Sequence, residues 1–223
     1  MKIKSAIFVF LMFLSLNAYG QKQTVGFLGG YNVSRLVNFR IDNDYTFQHY
    51  NFKSGFSVAS FYETSNLSNI GMRVGLQYSF QNADLEIEYH QGHTSYYKNI
   101  DYTFHKLDLQ FDLVFSILKE EKLKINFVVG PEIDFMVKTI SRGYGWDHYS
   151  SGLSGMKDWE VVNRNSKDFS VINLGVGLGI EFLIPFNNRL EFLIQHKNVL
   201  MVPFHQKLLS ACIRFGCRLN LQK

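Results

Sequence analysis

Cysteine, proline and net charge are all scarce in this 223-residue sequence, and each shortage removes a class of protein. The only cysteines are Cys212 and Cys217. Within one strand, at a rise of about 3.3 Å per residue, their Cα atoms would stand roughly 16 Å apart on opposite faces. A disulfide needs them within about 7 Å, so a disulfide scaffold is excluded and both read as free thiols used as small apolar side chains. The formal net charge is +4, and the basic residues do not cluster, which sets nucleic acid aside as a partner. Past residue 20 no apolar run approaches the roughly 20 residues of a membrane-spanning helix. Proline occurs only three times, which leaves the chain open to long extended strands.

The amino terminus does carry a signal. Lys2 and Lys4 precede an apolar stretch from Ser5 to Leu16, too short to span a bilayer, and Ala18-Tyr19-Gly20 supplies the small residues of a cleavage site. The expectation is a signal peptide over residues 1–20, cleaved before Gln21, followed by one domain over 21–223. No cysteine sits at the cleavage site to take a lipid anchor.

What fills that domain is alternation. In 106–117, Leu107, Leu109, Phe111, Leu113, Phe115 and Ile117 share one face, opposite Lys106, Asp108, Gln110, Asp112 and Ser116; only Val114 breaks the polar series. In 122–138, Leu123, Ile125, Phe127, Val129, Ile133, Phe135 and Val137 oppose Lys124, Asn126, Glu132, Asp134 and Lys138. Residues 171–184 repeat the theme with Gly175, Gly177 and Gly179 on the polar face. Such a period of two is the mark of a strand. Similar strands are read at 69–81 and 207–221, and weaker ones at 24–35, 52–62 and 189–198, which completes eight.

Volume decides which face is inside. Eight strands close around an interior just wide enough for side chains. The apolar face is almost continuous Leu, Ile, Phe and Val, while Gly75, Gly130, Gly175, Gly177, Gly179 and Gly216 lie on the polar face. Small residues suit a crowded interior and bulky aliphatic ones suit lipid. Glycines displayed to water would each cost about 0.5–1 kcal/mol relative to alanine for no return. The prediction is an all-β, eight-stranded, antiparallel up-and-down transmembrane barrel in the outer membrane, in contact with its lipid and present as single copies. The alternative is a soluble periplasmic binding barrel with the faces reversed. Long intervals at 36–51, 82–103, 139–168 and 199–206 alternate with short ones at 63–68, 118–121 and 185–188, as expected for outer loops and periplasmic turns. The interval 82–103 reads either as loop or as an extension of its strands. Leu85, Ile87 and Tyr89 alternate with Asp84, Glu86 and Glu88 in the opposite phase to the strand before them, and a β-bulge near Asn82 would account for the slip.

The stretches Gly29-Gly30-Tyr31-Asn32-Val33-Ser34, Lys53-Ser54-Gly55-Phe56, Val129-Gly130-Pro131-Glu132 and Leu174 to Phe182 resemble the small bacterial outer-membrane β-barrel domain of the PorT-like family. The resemblance covers the whole mature chain. It implies this barrel fold and a family mostly of unassigned function, a few of whose members are linked to protein-secretion machinery. The carboxyl terminus, Leu219-Asn220-Leu221-Gln222-Lys223, lacks the final aromatic residue that such barrels often carry.

Two groups of residues invite a function. The polar face carries Arg73, Lys106, Asp108, Asp112, Lys124, Glu132, Asp134, Arg189, Glu191, Arg214 and Arg218. In so narrow a barrel these read as a paired lumen network rather than an ion conduit, because charges withdrawn from water must be compensated. The interval 139–168 is long and aromatic, with Tyr144, Trp146, Tyr149 and Trp159, residue types favoured in binding surfaces and at membrane interfaces. It reads equally as a site for a protein, glycan or lipid partner and as an aromatic belt that anchors the loop at the lipid headgroups.

No cofactor or metal is expected. His90 and His93 lack a third ligand, Asp42-Asn43-Asp44 lacks the rest of a calcium loop, and the Gly175–Gly179 run precedes no helix. Gly152-Leu153-Ser154-Gly155 is not a nucleophile elbow. The catalytic alternative is a lipid A-modifying enzyme using His148 with Ser150, Ser151 or Ser154 and Asp147 or Asp158. Proximity along a chain does not make a triad, and a non-enzymatic role is the prediction.

Overall fold

The computed structural model describes residues 22–37, 46–49, 51–65, 69–91, 94–149, 152–163, 171–202 and 207–221. The predicted signal segment, Asp42-Asn43-Asp44, His93, Ser150 and Ser151 lie outside the described residues. The strands are β1 (Lys22–Val37), β2 (Thr46–His49), β3 (Lys53–Ser65), β4 (Ile70–Gln91), β5 (Thr94–Lys119), β6 (Lys124–Tyr149), β7 (Gly152–Asn163), β8 (Ile172–Pro185), β9 (Leu190–Val202) and β10 (Lys207–Asn220). Eight of them, β1-β3-β4-β5-β6-β8-β9-β10, pair antiparallel in chain order, and β1 pairs with β10 to close the ring. Closure leaves the spanning strands no free edge.

The faces are those of a membrane barrel. Along β8, Leu174, Val176, Leu178 and Ile180 are exposed, while Asn173, Gly175, Gly177, Gly179 and Glu181 are buried. The same holds on β4, where Arg73 is 3% exposed and its outward neighbour Met72 is 38% exposed. A soluble barrel would have the reverse arrangement, so that alternative falls.

Aromatic residues cluster at both ends of the apolar band, as at lipid–water interfaces. At one end Phe56 stacks on Phe80 at 5.4 Å and lies 6.4 Å from Tyr78. At the other Phe186 meets Phe192 edge-on at 5.7 Å. This second end carries the short turns and both ends of the ring. Asn187 Oδ1 accepts from the amides of Arg189 and Leu190 at 2.8 Å, closing the 186–189 turn through its own side chain. Leu221 N donates to Gln23 O at 2.9 Å and ties the last strand to the first.

Beyond the band the fold departs from the expected loops. Residues 82–91 and 94–103 are strand: β4 and β5 stay paired without a register break from Ile70–Phe115 to Gln91–Thr94. No bulge interrupts β4 near Asn82. Ala83 and Leu85 stay on the inward face and are buried, and it is the composition of that face that changes. Once the strands rise above the lipid, nothing apolar remains outside to receive Leu85, so it turns inward. A bulge does occur in β6, at Val137, between the pairs His105–Lys138 and Lys106–Met136. The interval 139–168 is likewise strand over most of its length, formed by the upper part of β6 and by β7, and 36–51 contains β2 on the edge of β4. Together β2, β4, β5, β6 and β7 raise a wall on one side of the barrel mouth.

Candidate functional site: a filled lumen and a wall above the barrel mouth

Strand β4 presents Arg73, Gln77, Ser79, Ala83 and Leu85 inward in that order, and β5 presents Asp112, Asp108, Lys106, Phe104 and Tyr102. Adjacent inward series of this kind stack the lumen in layers, polar through the membrane and apolar above it. Nearest the turns, Arg73 Nη2 donates to Glu63 Oε2 at 2.6 Å and to Glu181 Oε2 at 2.9 Å. Its guanidinium lies 4.1 Å from the centre of the Phe61 ring. Gln195 donates to Glu181 at 2.6 Å, and Arg218 reaches Glu63 and Glu191, both at 3.0 Å. Lys124 caps Glu191 from the half-exposed end of its strand.

The next layer is Lys197, 3.0 Å from Asp112 and 2.6 Å from Glu132. Above it Lys106 bonds Asp134 at 2.6 Å, and Asp108 accepts from Gln77 and Ser79 at 2.9 Å. Arg214 donates to Gln77. The glycines make room for these side chains. A Cβ on Gly177 would stand 2.4 Å from Lys197 Cε and 2.7 Å from Glu132 Oε1.

Over the polar layers sits an apolar lid of Leu36, Ala83, Leu85, Tyr102, Phe104, Met136, Val199, Met201 and Leu208. A smaller apolar group, Leu28, Phe61, Leu183 and Leu193, packs toward the turns. Of the residues expected in the lumen, Arg189 alone is displaced. It lies exposed in the 186–189 turn, because the period of two ends with the strand. Three buried members escaped the expected set: Glu63, Glu181 and Lys197. Glu181 and Lys197 share the parity of their buried strand neighbours, which is the signal that finds them. Glu63 stands one residue beyond the predicted strand end.

The wall continues the lipid-facing side upward as a polar face. By register, Glu86, Asn99 and Tyr144 lie abreast on it, as do Glu88, Tyr97 and Trp146 in the next row. Tyr97 Oη donates to Glu86 Oε1 at 2.8 Å, its ring lies 6.0 Å from that of Tyr144, and Asn99 Nδ2 is 3.5 Å from both phenol oxygens. Partial desolvation, followed by the hydrogen bond to Glu86, raises the Tyr97 phenol above its ordinary value. Tyr144 is exposed. The backbone places Trp159 opposite Gly143 and Tyr149 opposite Gly152, at the tip of the β6–β7 hairpin. His148 pairs with Leu153, and Asp147 with Ser154, so His148 and Ser154 occupy register positions on opposite faces.

No curated protein matches the sequence. Among solved structures, Ail, the attachment invasion locus protein of Yersinia pestis, is similar at 14% identity and a TM-score of 0.42, over 88% of this chain and 99% of that one. OprG from Pseudomonas aeruginosa is similar at 10% identity and a TM-score of 0.46, over 91% and 97%. A major outer membrane protein from Thermus thermophilus is similar at 12% identity and a TM-score of 0.47, over 91% and 100%. A family model described as outer membrane protein beta-barrel domain matches residues 19–200, and the chain belongs to that family, a β-barrel of the outer membrane.

Proposed function

We propose that this barrel is a non-enzymatic platform, exported through cleavage before Gln21, whose extracellular wall captures a partner while its lumen is a structural filling. The observation that carries this reading is the contrast between the two. The lumen is packed with paired charges beneath an apolar lid. The wall instead holds Tyr144 exposed beside Tyr97, Asn99 and Glu86, in an ordered sheet just above the lipid band. Planar rings next to an amide and a carboxylate match the alternating flat faces and hydroxyls of a sugar, so a glycan is the favoured partner and a protein surface the second. The PorT-like motifs are compatible with this role.

A photocrosslinking side chain at Tyr144 tests the reading in intact cells. It should give a discrete adduct that disappears when residues 146–159 are replaced by a short turn, which leaves the probe in place, while the barrel still folds. Adduct formation no greater at Tyr144 than at Glu121, in the exposed turn at the opposite end, would remove the wall from consideration.

A further inference from the structure

The outward series on β9 is Phe192, Ile194, His196, Asn198 and Leu200. His196 and Asn198 interrupt it at its centre, and both side chains are exposed. Their neighbours on β8 are Ile180 and Leu178, midway along the lipid-facing run from Ile172 to Ile184, and those on β10 are Ile213 and Ala211. The pair therefore sits near the middle of the hydrocarbon, surrounded by apolar side chains. Asn198 Nδ2 and His196 Nε2 are 3.2 Å apart and satisfy one another. Among the described residues no other hydrogen bond reaches either side chain, so each keeps one ring or amide group facing hydrocarbon. Neutral histidine retains a donor or an acceptor on its second nitrogen, and asparagine retains the other half of its amide. Polar groups inside a bilayer are costly and mark functional contacts.

We infer that His196 and Asn198 form the centre of an intramembrane interface with a second copy of this chain. Two features select that occupant. A partner must offer hydrogen-bonding groups at the same depth, and a second copy inserted in the same orientation does so automatically. A two-fold axis along the membrane normal then opposes like with like, and groups that both donate and accept are self-complementary across such an axis. Ala211, beside Asn198, is small enough to admit the facing side chain. This departs from the single-copy assembly that the sequence suggested, and it is independent of what the wall binds.

The test is energy transfer between copies labelled through Glu121→Cys, in a background with Cys212→Ala and Cys217→Ala, reconstituted in phosphatidylcholine vesicles. Transfer should rise with the ratio of protein to lipid. In His196→Leu/Asn198→Leu the apparent association constant should fall at least tenfold, with the folded barrel's gel mobility unchanged. His196→Gln/Asn198→Gln, which keeps hydrogen-bonding groups at that depth, should retain most of the association and serves as the readout if the leucine variant folds poorly. Transfer at the level of random mixing for the unsubstituted barrel, association unaltered by the leucine pair, or association lost with the glutamine pair would overturn the inference.

Discussion

Arg73 shows what a charge inside this barrel does. Its guanidinium is shared between Glu63 and Glu181 and lies over the Phe61 ring, and all four side chains are buried. Removing one member of such a set leaves the others charged without compensation, a loss of about 3–5 kcal/mol. Arg73→Met should therefore lower barrel stability in urea by roughly that amount, and adding Glu181→Gln should restore part of it. A denaturation midpoint unmoved by Arg73→Met would mean that the layer contributes no stability. Parity along the chain was enough to find most of these residues, since inward positions recur every second residue. It failed at Arg189, one residue before β9 begins, and at Glu63, where β3 had not yet ended.

Strand pairs explain the glycines on the inward face. In β6, a Cβ on Gly130 would meet Phe111 O of β5 at 1.9 Å, a backbone atom that cannot swing aside. In β4, a Cβ on Gly75 would find its nearest atoms at 3.4 Å and beyond. Gly130→Ala should destabilise the refolded barrel by about 1–3 kcal/mol, whereas Gly75→Ala should be neutral or slightly stabilising. Equal unfolding midpoints for the two variants would show that the β5–β6 pair relaxes around the added methyl. The eight spanning strands were legible in advance because a two-residue period needs no knowledge of partners. The upper halves of β4, β5 and β6 were not, because their apolar residues change sides relative to the membrane and resemble a slip in phase. The structure keeps β4 in phase and moves the lipid boundary instead. The short strands β2 and β7 follow from that continuation, since each pairs along an extension rather than within the ring.

Across the whole molecule, the asymmetry of the ends sets the orientation in the membrane. Short turns and the two ends of the ring lie together, and the wall stands at the other end. In outer-membrane barrels the short connections face the periplasm. A cysteine at Tyr144 should therefore react with a membrane-impermeant maleimide in intact cells, and one at Glu121 only after permeabilisation. The opposite pattern would invert the assignment and place the wall in the periplasm.

Side-chain order along the chain was sufficient to establish a barrel, the identity of its two faces, and which face meets lipid. Alternation is a local property, and the bulk of leucine against glycine tells a full interior from a yielding exterior. Ring closure supplied the rest. It brought Arg73 of β4 to Glu181 of β8 and Lys197 of β9 to Asp112 of β5, and it set the level at which hydrocarbon gives way to water and Leu85 turns inward. Contacts between strands far apart in sequence depend on register and on distance across the lumen, and no window of neighbouring residues contains either.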